Sequence, residues 1–236
     1  MELDYQFLIK TFFLILKGIP TTLKITAISL VLASPLAFGM ALAKIYDIKY
    51  LKKIVVVYVS FMRGTPIVLQ ILVVYSLLPS LLNVIVKQLG LKIDVFAFNP
   101  IMYAYIIFTL SSAAILSEVF RSALLGVKHG QLEAGLSIGM SHVQTYIRII
   151  IPQALVIALP SLCNATVNLI KNTSLAFIMS VQDITAIGKI QASYGYNYIE
   201  SYADVFVVYI VVCTLIQLLF NMAEKYCGTF RQRLKT

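Results

Sequence analysis

The sequence has little charge. Only 12% of its 236 residues are Asp, Glu, Lys or Arg, whereas a soluble domain of this size carries about 25%. Apolar residues make up 60% of the chain, and its mean hydropathy is +0.89. This composition excludes an ordinary soluble protein and predicts a single polytopic membrane domain. The net charge of +9 then indicates basic loops at a membrane surface and no nucleic-acid partner.

The chain also lacks the residue sets that most enzymes need. Cys163, Cys213 and Cys227 have no metal-ligand spacing, so we expect small apolar side chains without a disulfide or redox role. His129 and His142 lie thirteen residues apart without a third ligand, so no metal site is predicted. No Gly-x-x-x-x-Gly-Lys-Ser/Thr phosphate loop occurs. We therefore predict no catalytic residue and no cofactor bound by this chain.

Five apolar stretches are long enough to cross a bilayer. They cover residues 25–43, 54–78, 100–125, 149–170 and 205–223. Residues 79–99 and 182–203 are interpreted as loops, and residues 175–181 as a re-entrant segment or a short helix. The sequence thus predicts an all-α integral membrane fold with five transmembrane helices.

The segment 1–24 precedes the first span and is interrupted by lysines at seven-residue spacing, close to two helical turns. Because the lysines share a face, this segment is typical of a helix lying at the membrane interface. We expect Gly18 and Pro20 to end it. Glu2 and Asp4 stand where a signal peptide would be basic, so we expect no cleavable one.

Charge and glycine interrupt the apolar pattern most clearly at residues 128–152. The pattern predicts one helix from residue 131 to about 146. In that helix, Gly135 and Gly139 would share a face and leave a notch for a partner. Glycine inside a helix costs up to about 1 kcal/mol relative to alanine, so two of them indicate a close contact or a bend. The alternative is an ordinary linker helix.

A second polar segment lies inside the predicted span 54–78. An arginine at this depth is costly unless it reaches a polar group or water, and Pro66 frees a backbone carbonyl nearby. The alternative is that Arg63 extends its charge to the interface. The candidate residues for a polar substrate path here are Arg63, Gly64, Thr65, Pro66 and Gln70.

The third span carries Glu118 and Arg121 three residues apart, which favours a structural ion pair within one helix, with a gating role as the alternative. In the fourth span, amides recur every four residues. Side chains of this kind on a membrane helix must face protein or water. They indicate either the lining of a polar path or hydrogen bonds at a dimer interface. The candidate path residues are Asn164, Asn168, Lys171, Asn172, Thr173 and Ser174.

The segment 133–152 resembles the coupling-loop signature of permease subunits in bacterial ABC importers. The similarity rests on Glu133, Ala134, Gly135, Gly139, Ile149, Ile151 and Pro152. Two residues depart from the pattern, since Gly135 replaces the more usual alanine and Ile151 a leucine. The phrases 63–66 and 171–175 further resemble the histidine/glutamine/cystine-type permeases of polar amino acids, with Asn172 in place of an aspartate. The resemblance covers residues 18–225.

The resemblance implies the type I importer permease fold, with a coupling helix in the cytoplasmic loop 126–148. Gly130 and the seven signature residues would then dock on an ATPase subunit. Further implied partners are a second permease subunit, forming a homodimer, and an extracellular or periplasmic binding protein. Two cytoplasmic ATPase subunits would hold ATP and Mg²⁺, and the chain would work by alternating access. It would act as a transport subunit and not as an enzyme.

No carboxylate lies between Glu133 and Asp183. Because some permeases of this family hold cationic amino acids with carboxylates in this region, the resemblance implies a neutral polar or sulfur-containing amino acid instead. The phrases 57–67 and 174–177 resemble cystine-type permeases in particular, so cystine is favoured. Glutamine, glutamate and other polar amino acids are the alternatives. A secondary transporter with Glu118 and Lys171 as an ion relay is a further alternative, although no inverted repeat is apparent.

Basic residues predict the orientation of the chain. Eleven lie in the loop after the first span, around the coupling segment and in the C-terminal segment formed by Lys225 and the tail 226–236, and seven lie on the opposite side. The positive-inside rule then predicts a multi-pass protein of the bacterial cytoplasmic membrane, with the N-terminus outside and the C-terminus in the cytoplasm.

Overall fold

The computed structural model describes residues 4–128 and 130–233, with side chains described as far as Cys227. Their regular secondary structure is entirely helical, as the sequence predicted. The α-helices are α1 Tyr5–Ile15, α2 Ile19–Ile45, α3 Lys49–Gly64, α4 Ile67–Gln88, α5 Ile101–Leu125, α6 Gly130–Ser137, α7 His142–Thr145, α8 Ile151–Asn172, α9 Ile184–Gly195 and α10 Tyr198–Arg233. Shorter turns of 3₁₀ helix cover Leu16–Gly18, Val95–Ala97 and Thr173–Met179, and Tyr146–Ile150 forms a π-helical turn.

Five helical segments in the described part are long and apolar enough to cross a membrane, which confirms the predicted number. They are Tyr5–Ile45, Ile67–Gln88, Ile101–Leu125, His142–Met179 and Tyr198–Cys227. Helix α5 is the most enclosed of them. Its Ala113 and Leu116 pack against Ala33 and Ala37 of α2. Small side chains allow such close approach, and in lipid it is this packing that drives helices together.

The predicted second span is wrong, because it consists of two helices. Thr65 and Pro66 are extended, with ψ angles of 144° and 131°, since a proline disfavours the helical conformation of the residue before it. The break frees backbone carbonyls, and Gln70 satisfies two of them. Its Nε2 donates to the carbonyls of Met62 (2.9 Å) and Thr65 (3.1 Å). Helix α4 then continues through Pro79 to Gln88, into the region expected to be a loop.

The expected loop 182–203 is also wrong, because α9 and the first turn of α10 occupy it. Asp183 caps α9 by accepting a hydrogen bond from the Ala186 amide at 2.8 Å, which satisfies one of the free N–H groups of the first turn. Gly188 then lets α10 come close, since a Cβ there would lie 2.5 Å from Val205 Cγ2. Residues 175–181 are mostly 3₁₀ helix, in agreement with the short-helix interpretation.

The helical path does not end at Gly18 and Pro20, contrary to expectation. One 3₁₀ turn joins α1 to α2, and Pro20 lies in the first turn of α2, where its missing N–H has no partner to lose. Gly18 instead serves a close contact: a Cβ there would meet the Ile184 backbone nitrogen at 2.5 Å. Ile15 and Ile184 are buried in the same cluster as Val208. The interfacial position of residues 1–24 stays a prediction, and residues 1–3 lie outside the described part.

Candidate coupling site and polar path

The predicted single helix 131–146 is wrong, because the chain turns between α6 and α7. Gly139 adopts a φ of +84°, a left-handed conformation that glycine takes at little cost. The amides of Gly139 and Met140 donate to the carbonyls of Leu136 and Gly135, which closes the C-terminus of α6. Ser141 then begins α7, with a reciprocal capping box to Gln144.

Gly135 faces α7 and not a partner. A Cβ on Gly135 would lie 2.5 Å from Thr145 Cγ2 and 2.7 Å from its Oγ1. Thr145 is fully buried and donates a hydrogen bond to the Ser141 carbonyl at 3.0 Å. The expected notch is therefore filled by the chain itself, and Gly139 does not share its helix face. Thr145 is a residue of this site that the sequence reasoning missed.

The other signature residues divide between the surface of the loop and its base. Gly130, Glu133, Ala134 and Gly139 are exposed, as are Ile138 and the α7 residue Val143. Pro152 is exposed in the first turn of α8, whereas Ile149 and Ile151 are half-buried beside it. The exposed set forms a small surface that carries a carboxylate and apolar side chains. His129 lies outside the described residues.

The base of the loop is joined to the membrane helices. Leu132 of α6 packs against a cluster that contains Ala123 of α5, together with Ile150 and Ala154 at the start of α8. Gln153 Nε2 donates to Gln131 Oε1 at 3.3 Å, which adds a polar link between α6 and α8. Close-packed side chains thus link α6 to α5 and α8, and packing of this kind transmits strain.

The described residues leave most of the amide stripe of α8 uncovered. Asn164, Asn168 and Lys171 are exposed, Asn172 is half-buried, and Asn172 lines a small crevice with Ser111 and Ser112 of α5. Their role in a path stays a prediction. Thr173 is fully buried, and its hydroxyl donates to the Ile170 carbonyl at 2.7 Å, whereas Ser174 is half-buried.

The polar segment of the predicted second span lies at the break between α3 and α4. Arg63, Gly64 and Pro66 are exposed and Thr65 is half-buried, whereas Gln70 is buried and bonded to the break. Apolar neighbours bring this break towards the end of α8. Met62 and Ile67 pack against the cluster that contains Leu169 and Met179.

Glu118 makes two ion pairs where the sequence suggested one. Arg121 Nε donates to Glu118 Oε2 at 2.9 Å, and Lys44 Nζ donates to Oε1. Lys44 is the last lysine of α2, so this carboxylate links α2 to α5. The sequence reasoning missed Lys44, although its place at the end of a span is a usable signal.

Asp183 is a buried carboxylate that the sequence reasoning assigned no role. In addition to the bond from the Ala186 amide, its carboxylate accepts a hydrogen bond from the Tyr209 hydroxyl at 3.1 Å. That hydroxyl also lies 3.2 Å from Thr185 Oγ1. Burial raises the pKa of the Asp183 carboxyl to about 6, although these hydrogen bonds oppose the rise. The group therefore joins α9 to α10 at a cost when it is charged.

We expect Asp183→Asn to remove this cost. The asparagine oxygen can still accept from the Ala186 amide, and its NH₂ group can donate to Tyr209. The rise in pKa from 3.8 to about 6 corresponds to about 3 kcal/mol. Because the pKa of the Asp183 carboxyl is raised in the folded state, the natural chain has the full stability of a protonated Asp183 at low pH. It loses this contribution as the pH rises through about 6. The variant should match the natural chain at pH 4 and melt higher at pH 7.5.

Thermal unfolding of the detergent-solubilised full chain, measured between pH 4 and 8, tests this expectation. Asp94→Asn is the matched control, because Asp94 caps an exposed turn through the Phe96 amide at 3.0 Å. Because Asp94 is exposed, this control variant should not melt higher than the natural chain at pH 7.5. A pH-independent difference for Asp183→Asn would contradict the assignment.

The model of one protein family matches residues 33–225: binding-protein-dependent transport system inner membrane component. The chain belongs to this family. The resemblance drawn from the coupling signature is thereby confirmed, and the permease is a non-catalytic, multi-pass membrane component of a transport system.

Two curated relatives illustrate the similarity of the permease to proteins of known name. It is 35% identical over 218 residues to the L-cystine transport system permease protein TcyL of Bacillus subtilis (strain 168), covering 92% of this chain and 89% of TcyL. It is 30% identical to the histidine/lysine/arginine/ornithine transport system permease protein HisM of Escherichia coli (strain K12), covering 88% and 86% of the two chains.

Solved structures agree with the five-helix fold of the permease. A chain from the crystal structure of an amino acid ABC transporter with histidines superposes with a TM-score of 0.78 at 27% identity. The superposition covers 96% of the permease and all of that chain. A chain of the methionine ABC transporter MetNI in an inward-facing conformation gives a TM-score of 0.70 at 19% identity, covering 91% and 96%. The latter likeness concerns the fold alone. The predicted importer permease fold is thus confirmed.

Proposed function

We propose that this permease moves a polar amino acid into the cell by ATP-driven alternating access. The observation that carries the proposal is the construction of α8. The coupling helix α6 is attached to its start through Leu132 and Gln131. The exposed amides Asn164 and Asn168 and the half-buried Asn172 lie further along the same helix. A movement of α6 would therefore reorient the polar stripe.

The partners follow from this arrangement and from the family. Two cytoplasmic ATPase subunits, holding ATP and Mg²⁺, would receive the exposed surface of Glu133, Ala134 and Ile138. A second copy of the permease would cover the stripe of α8, so that the path runs between two copies. A binding protein outside the cell would deliver the substrate. The N-terminus would lie outside and the C-terminus in the cytoplasm, as the distribution of basic residues indicates.

The mechanism needs contacts that differ between two states, because a ligand shifts an equilibrium only by its differential affinity. ATP-driven closure of the ATPase subunits would move α6 and α7 as one unit, since Gly135 and Thr145 hold them together. The cluster around Ala123 and Ile150 would carry this movement to α5 and α8. The stripe would then be open to one side of the membrane at a time.

We favour cystine as the substrate, with glutamine, glutamate or another polar amino acid as the alternative. The relatives named for L-cystine support this choice, whereas those named for octopine or basic amino acids support a broader class. The residues of α8 favour a substrate without a cationic side chain. They offer amides and Lys171 but no carboxylate, and a cationic side chain would need an opposite charge in a water-poor path.

Uptake of radiolabelled cystine and glutamine into a bacterial strain that lacks only this chain tests the proposal. We expect cystine uptake to be lost and to return when the chain is restored, but not when its partner ATPase is absent. Loss of glutamine uptake alone would keep the importer and overturn the choice of cystine. Cystine uptake that persists without the ATPase would overturn the importer itself.

Asn172→Asp should shift the preference of the permease towards cationic amino acids. Asn172 lies beside Ser111 and Ser112 at the crevice, and a carboxylate there would attract a cationic side chain. We expect arginine to compete with cystine at least about tenfold better, corresponding to 1.4 kcal/mol or more of charge pairing in a partly buried site.

Competition between unlabelled arginine and labelled cystine measures this shift in reconstituted vesicles. Asn99→Asp makes the same chemical change in the loop before α5 and should leave the profile unchanged, because an aspartate there can still accept from the Ile101 amide. If arginine competes with cystine equally well in both variants, Asn172 lies outside the path.

A further inference from the structure

Helix α3 has one face that the described residues of the chain leave open. Its buried face contributes Val55 and Val59, which pack with Ala43 of α2 and Ala114 of α5. The opposite face presents four apolar side chains at helical spacing, each between 61% and 77% exposed: Tyr50, Ile54, Val57 and Phe61. Spacings of four, three and four residues align them along the helix.

Lysines stand at the first turn of the same helix. Lys52 pairs with Asp47 at 2.7 Å, whereas the ion pairs of the described residues include neither Lys49 nor Lys53. This turn contains no acidic residue, and the N-cap residue Ile48 offers no side-chain acceptor. Lysines at the positive end of a helix dipole are unfavourable, and no side chain of this turn offsets them. A bound anion would therefore be stabilised there.

Two shallow surface depressions that share Lys53 and Val57 connect the lysines to the apolar stripe, and together they are called the groove. One part is lined by Asp47, Lys49 and Lys52 together with Lys53 and Val57. The next part begins at the same Lys53 and Val57 and continues past Ile54 to Phe61. From Lys53 to Phe61 the groove follows α3 for about 12 Å. Charge lies at one end of it and hydrocarbon side chains line the rest.

We propose that this groove binds an anionic phospholipid. Its phosphate would lie against Lys49, Lys53 and the free amides of the first turn, and one acyl chain would lie along Ile54, Val57 and Phe61. The charge pattern opposes a second copy of the chain as the occupant. A two-fold interface places the same patch on both sides, so lysines would face lysines. This inference does not depend on the transported substrate.

The absence of tryptophan from the sequence gives the proposal a direct test. Phe61→Trp places a single fluorophore in the groove of the full chain, which is reconstituted into vesicles of phosphatidylcholine with a minor fraction of brominated phosphatidylglycerol or brominated phosphatidylcholine. Quenching by the two brominated lipids gives their relative affinity for the groove. We expect the anionic lipid to bind roughly tenfold more tightly, because two unpaired lysines attract it.

Lys49→Gln combined with Lys53→Gln, made in the Phe61→Trp background, should bring this ratio close to one. Lys87→Gln combined with Lys92→Gln removes the same charge from an exposed region at the end of α4 and should leave the ratio unchanged. A second fluorophore, Leu77→Trp on the exposed side of α4, should show no preference. Equal quenching of Phe61→Trp by both lipids overturns the proposal, and so does a ratio that survives the loss of Lys49 and Lys53. Quenching by neither lipid would overturn it as well, because protein and not lipid would then cover the groove.

Discussion

Gly135→Ala is expected to abolish most ATP-driven uptake while the chain still inserts into the membrane. The added Cβ would lie 2.5 Å from Thr145 Cγ2, and Thr145 is fully buried, so it has no room to withdraw. Overpacking of this kind costs about 1–3 kcal/mol, which is enough to separate α6 from α7. Because α6 is the proposed docking helix, we expect uptake to fall at least about tenfold.

Three comparisons make the result interpretable. Gly130→Ala adds the same methyl group to the same helix, where nothing lies within 4 Å, and should leave uptake unchanged. Thr145→Ala removes both offending atoms, so the double variant should recover part of the activity. In each variant, the amount of ATPase subunit that co-purifies with the chain should change in parallel with the uptake rate. Normal uptake by Gly135→Ala would show that α6 and α7 can separate without loss of coupling.

Among the glycines for which the structure describes the surroundings, Gly18 is expected to tolerate replacement by alanine least. Its Cβ would meet three backbone atoms at 2.5–2.7 Å, which belong to Asp183 and Ile184. A side chain can rotate away, but the backbone at the start of α9 is held by the cap of Asp183 on the Ala186 amide. The junction of α1 and α2 would have to leave α9. We expect a loss of about 3 kcal/mol or more.

Thermal unfolding in detergent and the yield of folded protein measure this loss. Gly39→Ala is the matched control, since it lies in the interior of α2 with nothing within 4 Å of a Cβ. Alanine favours a helix over glycine by up to about 1 kcal/mol, so this variant should be neutral or slightly more stable. Equal melting temperatures for the two variants would mean that the contact of Gly18 with α9 does not contribute to stability.

Composition was enough to predict the class of fold. A bilayer leaves no water for backbone groups, so a chain with long apolar stretches must form helices across it. The stretch 100–125, for example, agrees with α5 to within one residue. The coupling signature at residues 133–152 was equally readable, because its small and aliphatic residues have fixed spacing along a single segment.

Local signals for three errors were present but were outweighed by hydropathy. Pro66 after Thr65 marks the break between α3 and α4. Ser141 and Gln144 form a capping box that begins α7 after Gly139. Asp183 caps α9 in a stretch assigned to a loop. In each case the prediction followed hydropathy and disregarded the local signal. Hydropathy measures partitioning into lipid and not the direction of the backbone.

The sequence by itself determined that five helices cross a membrane and that one short loop carries a coupling signature. Both are properties of contiguous segments and of the surrounding lipid. Only the tertiary structure decided which residues meet: Lys44 with Glu118, Gly135 with Thr145, Gly18 with Ile184, and Asp183 with Tyr209. Two of these pairs, Lys44 with Glu118 and Gly18 with Ile184, join segments far apart in the chain. Their contacts depend on how the helices pack, and a periodic pattern within one segment carries no information about the side chains of another.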